Sequence, residues 1–292
     1  MERLQAIQMD INNSCNARCR FCINDWKKAD PAGRMKIETF DKIVEILPLI
    51  ERGFLSCSFE PTIHPQFIEI YSRVPKGTGA YTFITTNLAK EFSDCEIHAM
   101  SKWNLDSLTI SLGSLDSKTY EELHAGSKFD TFKYNLDRID EVFKQEPEAP
   151  RLRFITVVFN QNKDELEHMA EITFNRYRAF LHQFRTPFKH TKVVKKGEWL
   201  DKAIISQADW NVRAARLEKM PYNIVFFNPL FSDEAPPGIT PLTTYFTCRY
   251  DGTIIFHEKN KSRLPERFRK EFNINDIEDP GKYFKEGIQE IK

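Results

Sequence analysis

No stretch of this chain approaches the ~20 consecutive apolar residues that a membrane span requires. The start, Met-Glu-Arg-Leu-Gln, lacks the apolar region of a secretory signal. Neither sign of charge is in excess, with 42 Lys+Arg against 42 Asp+Glu, so neither nucleic acid nor an anionic membrane is expected as a partner. Local basic clusters, Lys192 with Lys195-Lys196 and Arg267 to Lys270, read as solvated surface or as a meeting point for an anionic substrate. There is no low-complexity tail and no internal repeat beyond an alternation of strands and helices. These absences predict a cytoplasmic globular chain, and 292 residues suffice for a full core, as one large domain or a domain plus an extension.

Cysteine is also scarce, at 6 residues, yet three are crowded into Cys15-Asn-Ala-Arg-Cys19-Arg-Phe21-Cys22. Random placement would give such a triple on the order of 10⁻³ times. Clustered thiols in an intracellular chain read as metal ligands rather than disulfides. A structural zinc site or an electron-transfer iron–sulfur site normally takes four protein ligands, so three leave one metal position open for chemistry. The competing readings are a zinc knuckle with a distant fourth ligand and three unrelated core thiols.

Apolar periodicity organises the rest. Ile7, Met9 and Ile11 alternate as a first strand, and Ile37, Phe40, Ile43, Val44 and Leu47 recur at helical spacing. Strands are then expected at Phe54–Phe59, Tyr81–Thr85, Ser107–Leu112, Leu152–Val158 and Tyr177–Phe184. Helices are expected at Pro65–Val74, Asp94–Trp103, Phe129–Phe143 and Lys163–Ile172. Six strands alternating with helices predict an α/β fold with a parallel sheet, either a partial (β/α)6 TIM-like barrel or a doubly wound open sheet. Past residue 200 come a helix Ser206–Lys219, a strand Ile224–Phe227, a Pro/Gly-rich stretch Pro229–Pro241, and a hairpin of Tyr245–Tyr250 with Thr253–His257 around Asp251-Gly252. The expected division is a core over 1–200 and a short α+β extension over 201–292.

The CxxxCxΦC pattern completed by Phe21, placed after the first strand, resembles the radical S-adenosylmethionine (SAM) superfamily. That resemblance favours the partial barrel. It implies that Cys15, Cys19 and Cys22 hold a [4Fe–4S] cluster whose open iron binds SAM, that a flavodoxin/ferredoxin-type protein donates the electron, and that a 5′-deoxyadenosyl radical takes hydrogen from a small-molecule or peptide substrate. Ser58-Phe59-Glu60-Pro61 is similar to the family's Gly-Gly-Glu-Pro, with Glu60 and Pro61 kept and both glycines replaced; the resemblance implies that Glu60 faces the SAM ammonium. It likewise implies cofactor contacts for Thr86 and Asn87 after strand three, Ser111 after strand four and Asn162 after strand five. The bland reading of each is a cap or turn. Arg185, at the end of strand six, is a candidate for the SAM carboxylate or a substrate anion.

Cys248-Arg-Tyr-Asp-Gly252-Thr-Ile-Ile-Phe-His257 and Asn273-Ile-Asn-Asp resemble a SPASM or twitch extension whose cluster cysteines are gone, with His257 in a cysteine's place. Only Cys57, Cys95 and Cys248 remain outside the motif, too few and too scattered for an auxiliary cluster. The combination is similar to radical SAM sugar epimerases of the neomycin C epimerase type. It implies redox-neutral epimerisation with Cys248 as hydrogen donor, on a strand face shared with Phe246 and Tyr250 and expected to turn toward the barrel mouth. Packing in the core is the alternative for Cys248. Cys57 is the rival donor, and a dehydrogenase, a peptide maturase or a non-catalytic metal-binding protein are the rival functions. No peptide-recognition domain precedes Cys15, which disfavours a leader-guided modifier.

Overall fold

A computed structural model describes residues 3–24, 32–56, 58–188, 198–232, 244–258 and 261–291. The strands in chain order are β1 Leu4–Met9, β2 Ile50–Phe54, β3 Tyr81–Thr86, β4 Ser107–Ser111, β5 Arg151–Val157, β6 Leu181–Arg185, β7 Ile224–Phe227, β8 Thr244–Cys248, β9 Thr253–Glu258 and β10 Phe272–Asn273. They form one 10-stranded sheet in the order β10-β9-β8-β1-β2-β3-β4-β5-β6-β7. Neighbours from β1 to β7 run parallel, β8 joins β1 in parallel, and the β8–β9 and β9–β10 pairs are antiparallel. The order starts at β10 and ends at β7 without closing, as in a partial TIM-like barrel. Residues beyond 201 thus feed both edges of the sheet, β7 beside β6 and β8 beside β1.

Between the strands run α1 Ile37–Ile46, α2 Phe67–Ser72, α3 Asp94–Met100, α4 Ser117–Leu123, α5 Phe129–Phe143 and α6 Leu166–Asn175; α7 Glu198–Ala203 and α8 Gln207–Leu217 precede β7, and α9 Glu266–Arg269 and α10 Pro280–Gln289 follow the hairpin. Strand alternation sorts side chains onto two faces. On one, Ile7, Met9, Ile84, Ile110, Phe154, Phe184 and Phe246 are buried in the main apolar core. On the other, Phe83, Thr85, Ser111, Ile155, Gln183 and Arg185 face the barrel interior, and the ladder carries that face from Phe83 through Phe54 and Gln8 to Thr247. Among the described residues no helix is long and apolar enough to cross a membrane.

Several elements depart from the sequence expectation. The second strand is Ile50–Phe54 rather than Phe54–Phe59, because the amides of Ser58 and Phe59 are claimed by the carboxylate of Asp10 (2.9 and 3.1 Å) instead of a strand partner. The sixth strand starts at Leu181, not Tyr177, because Arg178 takes the left-handed conformation, φ 52°. Helix α4 was not anticipated; Asp116 caps it by accepting the Thr119 amide at 2.8 Å, and at seven residues it is too short to show a clear period. The hairpin loop is longer than a two-residue turn, with Cys248 opposite Ile254. Gly252 is required there: its φ is +89°, and a Cβ would stand 2.6 Å from the Asn275 side chain.

Candidate active site

The cysteine loop follows β1 and is fixed from both sides. The amides of Arg18 and Arg20 donate to the carbonyls of Ala125 (2.6 Å), just past α4, and of Leu123 (3.1 Å), its last residue. On the other flank the Asn87 side-chain amide donates to Asn16 Oδ1 at 2.9 Å, and that of Asn24 to the Ser58 carbonyl at 2.7 Å. The loop therefore lies across the carboxyl ends of the parallel strands, where (β/α) barrels place their functional residues.

There it walls a cavity of about 200 Å³, lined by Cys15, Cys19, Phe21 and Cys22 from the loop, Ser58 to Glu60, Thr85 to Asn87, Ser111, His124, Ile155, Val157, and Arg185 with Pro187 and Phe188. Burial is the main force on the Cys15 and Cys19 thiols. It pushes Cys15 up to about 11, with the Glu60 charge adding to the shift, and it raises Cys19, to which the other two thiols contribute. The Ala17 amide, 3.4 Å from Cys15 Sγ, partly offsets this for Cys15, and the Asn24 amide lies 3.4 Å from Cys22 Sγ. Among the described residues no three metal-ligating side chains already stand in a metal-holding arrangement. What the site offers is a trio of soft donors on one wall, and a cationic iron–sulfur core is what makes such thiolates favourable.

Glu60 is buried, at 2 % exposure. Its carboxylate accepts four hydrogen bonds, from Thr62 N and Oγ1 (3.1 and 2.7 Å), Thr86 Oγ1 (2.8 Å) and Asn87 N (2.7 Å). Burial raises its pKa while those donors pull it back. Four is about the acceptor capacity of a carboxylate, so in this structure Glu60 ties the Glu-Pro turn, with buried Pro61 opening a short 3₁₀ turn, to the end of β3.

The family model for the radical SAM superfamily matches residues 9–172, more than half of the chain. The chain belongs to the radical SAM superfamily. As a radical SAM protein it works with a [4Fe–4S] cluster and S-adenosylmethionine. The GTP 3′,8-cyclase of Haemophilus influenzae is 27% identical to it over 144 residues, covering 47% of this chain and 41% of that protein. The GTP 3′,8-cyclase of a Picosynechococcus species is 21% identical over 230 residues, covering 74% and 67%. The chain thus spans less than half of the Haemophilus protein. In fold it is similar to Streptococcus suis SuiB bound to S-adenosylmethionine, with TM-score 0.65 and 14% identity over 97% of this chain and 66% of that one. It is also similar to methylornithine synthase, with TM-score 0.51 and 14% identity over 80% and 75%.

Of the residues singled out from the sequence, Cys15, Cys19, Cys22, Phe21, Glu60, Thr86, Asn87, Ser111 and Arg185 share this one cavity. Asn162 does not. It is fully buried, and its side-chain amide donates to the Gly113 (2.8 Å) and Val157 (3.0 Å) carbonyls while its oxygen accepts the Phe159 amide (2.8 Å). The expected approach to SAM is replaced by a clip between the loops after β4 and β5.

Cys248 is a second correction. Its ladder partner is Met9 on the core face of β1, whereas its neighbour Thr247 pairs with Gln8 on the interior face. The thiol is 3% exposed in the core, near the contact of Phe246 with Phe284 of α10 (5.3 Å), and does not line the cavity. The register of β8 turns it away from the mouth. Cys57 lies outside the described residues, as do Lys192, Lys195 and Lys196, and Cys95 is exposed. Arg267 pairs with Glu286 of α10 (3.2 Å) and with Glu290 at its carboxyl end (2.7 Å), the solvated-surface reading of that cluster.

His124 was not anticipated. It is buried at the cavity wall, stacked on Tyr120 (4.9 Å, 3°) and edge-on to Phe21 (5.3 Å). Burial pulls its pKa down to about 4, so the ring is neutral at physiological pH. A lone histidine at the end of a short helix carries no sequence signal that distinguishes it from a surface residue.

Proposed function

We propose that the protein is a radical SAM enzyme that takes a hydrogen atom from a small-molecule or peptide-derived substrate seated beside Ser111, Ile155 and Arg185, and that a separate donor then gives the substrate carbon a hydrogen atom, leaving the substrate's oxidation state unchanged, epimerisation being the reading favoured by its cysteine content. When bound, the cluster and SAM supply a carbon radical able to break an unactivated C–H bond. The chain's own residues supply the rest: Glu60, Thr86 and Asn87 fix the cavity mouth, the apolar Ile155, Val157 and Phe188 exclude water, and Ser111 and Arg185 offer polar contacts. The observation that carries the reading is the gathering of the three motif thiols with the ends of β3 to β6 around one cavity.

Within these 292 residues three cysteines remain beyond the motif, which supports a product that needs no auxiliary cluster as electron acceptor. We take residues 201–292 as an extension of the SPASM or twitch type without that cluster, and the setting as a reducing cytoplasm with a flavodoxin- or ferredoxin-type donor. The hydrogen that completes an inversion comes from a group other than Cys248; Cys57, next in sequence to the cavity residue Ser58, is the remaining thiol candidate. Turnover of the substrate in deuterated water tests this. Deuterium at an inverted carbon, lost in Cys57→Ala, is the expected result, and a dehydrogenated product from the unaltered enzyme contradicts it.

A further inference from the structure

Several arginines elsewhere on this molecule are paired with carboxylates. Arg138 bonds Asp94 (2.8 Å), Arg176 bonds Asp137 (2.8 Å), Arg178 bonds Asp140 (2.7 Å), and Arg213 bonds Asp164. Two arginines on the interior face of the sheet break this pattern. Arg153 stands opposite Leu181, Gln183 opposite Ile155, and Arg185 opposite Val157, so all three share the face that Ile155 and Val157 present to the cavity. Arg153 has one side-chain hydrogen bond, to Gln183 Oε1 at 2.8 Å. Arg185 has no hydrogen-bonded or ionic side-chain partner among the described residues. The Nε atoms of both are sealed from solvent with no acceptor.

An aromatic ring flanks each guanidinium, Phe83 at 5.4 Å from Arg153 and Phe188 at 5.0 Å from Arg185. Arg185 as a residue keeps partial exposure, on a side chain that lines the cavity. Desolvation, and after it the charge of Arg153, pull Arg185 down to about 10. Among the described residues the carboxylate lining the cavity is Glu60, which is held by four donors of the turn and of the end of β3 and makes no ion pair with either arginine.

We propose that the substrate of this cavity carries an oxyanion, a carboxylate or a phosphate, which the Arg185 guanidinium receives through its planar fork, with Arg153, oriented by Gln183, adding a second positive charge deeper in the barrel. A buried cation without a partner is costly, and an oxyanion entering the cavity supplies both the charge and the acceptors that the chain withholds. The inference names the substrate class for the enzyme proposed above, and rests on that reading only in placing the substrate in the same cavity.

The test is thermal unfolding of the cluster-loaded protein without oxygen, with inorganic pyrophosphate or malonate added at constant ionic strength and sodium chloride as control. A probe at about ten times its Kd raises Tm by about 3 °C. The expected result is such a shift with at least one probe, reduced by half or more in Arg153→Gln and Arg185→Gln, partly retained in Arg185→Lys, and unaltered in the surface control Arg216→Gln. A response to pyrophosphate alone names a phosphate, and a response to malonate alone names a carboxylate. The proposal is overturned if neither probe exceeds chloride, if the glutamine variants keep the full shift, or if Arg185→Gln raises the SAM concentration for half-maximal cleavage tenfold or more, which would assign Arg185 to the SAM carboxylate. Failure of the loaded enzyme to cleave SAM would contradict the proposed function and leave the anion shift to judge the arginines separately.

Discussion

The Nδ1 atom of His124 lies 3.7 Å from the Sγ atom of Cys19. A neutral ring carrying its proton on Nδ1 donates to a Cys19 thiolate, and hydrogen bonds to cluster sulfurs raise reduction potential. His124→Phe keeps the stack on Tyr120 and removes the donor. The loaded variant is expected to hold a cluster of lower midpoint potential than the unaltered protein, read by redox titration followed by electron paramagnetic resonance; an unchanged potential would remove this role.

Gly113 makes room for that ring. A Cβ on Gly113 would stand 2.5 Å from His124 Cδ2 and 2.6 Å from Nε2. Gly113→Ala therefore forces the imidazole to move and is expected to cost about 1–3 kcal/mol, as overpacking does. Combined with His124→Ala, which removes the obstacle, the loss measured by denaturant unfolding should be smaller than the sum of the two single losses.

Two buried histidines give the cluster-free protein an acid-labile stability. Burial pulls His124 down to about 4 and His182, held between the hydroxyls of Thr156 (2.9 Å) and Thr173 (3.0 Å), down to about 3. The folded chain keeps both neutral where the unfolded chain, with histidine near its ordinary 6.5, takes up protons. Stability is thus fully present above about pH 6.5 and falls as pH drops toward 4, by roughly 1.4 kcal/mol per pH unit for each histidine well below 6.5. Denaturant unfolding at pH 7 and 5.5 should show the fall, and His182→Gln should make it shallower; an unaltered slope would mean that His182 is not neutral in the folded state.

Cys248 predicts a separation of stability from chemistry. Truncating this core thiol, Cys248→Ala, is expected to lower stability by about 1 kcal/mol through lost packing. The rate of 5′-deoxyadenosine release with strong reductant should stay within twofold of the unaltered enzyme. A loss of tenfold or more would place the thiol in the site despite its ladder partner Met9.

Glu60 holds the cavity mouth together, so Glu60→Gln sets an amide NH2 against a surround that consists of donors. Leaving buried donors unsatisfied in this way is expected to cost about 2–4 kcal/mol. Chemical analysis of the reconstituted variant should find less iron per chain, because the same turn supports the cysteine loop through the 2.9 Å bond from Asn12 Nδ2 to the Glu60 carbonyl.

The parallel sheet and the cysteine site were legible in the sequence because each rests on a local signal. Apolar alternation marks β3 to β5, and three thiols at fixed spacing need no tertiary context. What escaped depends on distant partners. Phe54 to Phe59 has strand composition, yet Asp10, 48 residues away from Ser58, takes its amides. Alternation correctly joined Cys248 with Phe246 on one face, but only the pairing of β8 with β1 determines that this face is the core side. Asn162 was recognised as polar and well placed along the chain, and only the loop after β4 reveals that its amide is spent on Gly113. The burial of His124 and the lack of a carboxylate partner for Arg185 among the described residues exist only once the strands and loops are assembled.

The measurement that bears most directly on the central claim is an anaerobic reconstitution with iron and sulfide, followed by dithionite and SAM. Close to four irons and four sulfides per chain, with release of methionine and 5′-deoxyadenosine that disappears when Cys15, Cys19 and Cys22 are replaced by alanine, is the result expected of the loop and cavity described here. A single zinc without sulfide, or SAM left intact by the reduced protein, would contradict it.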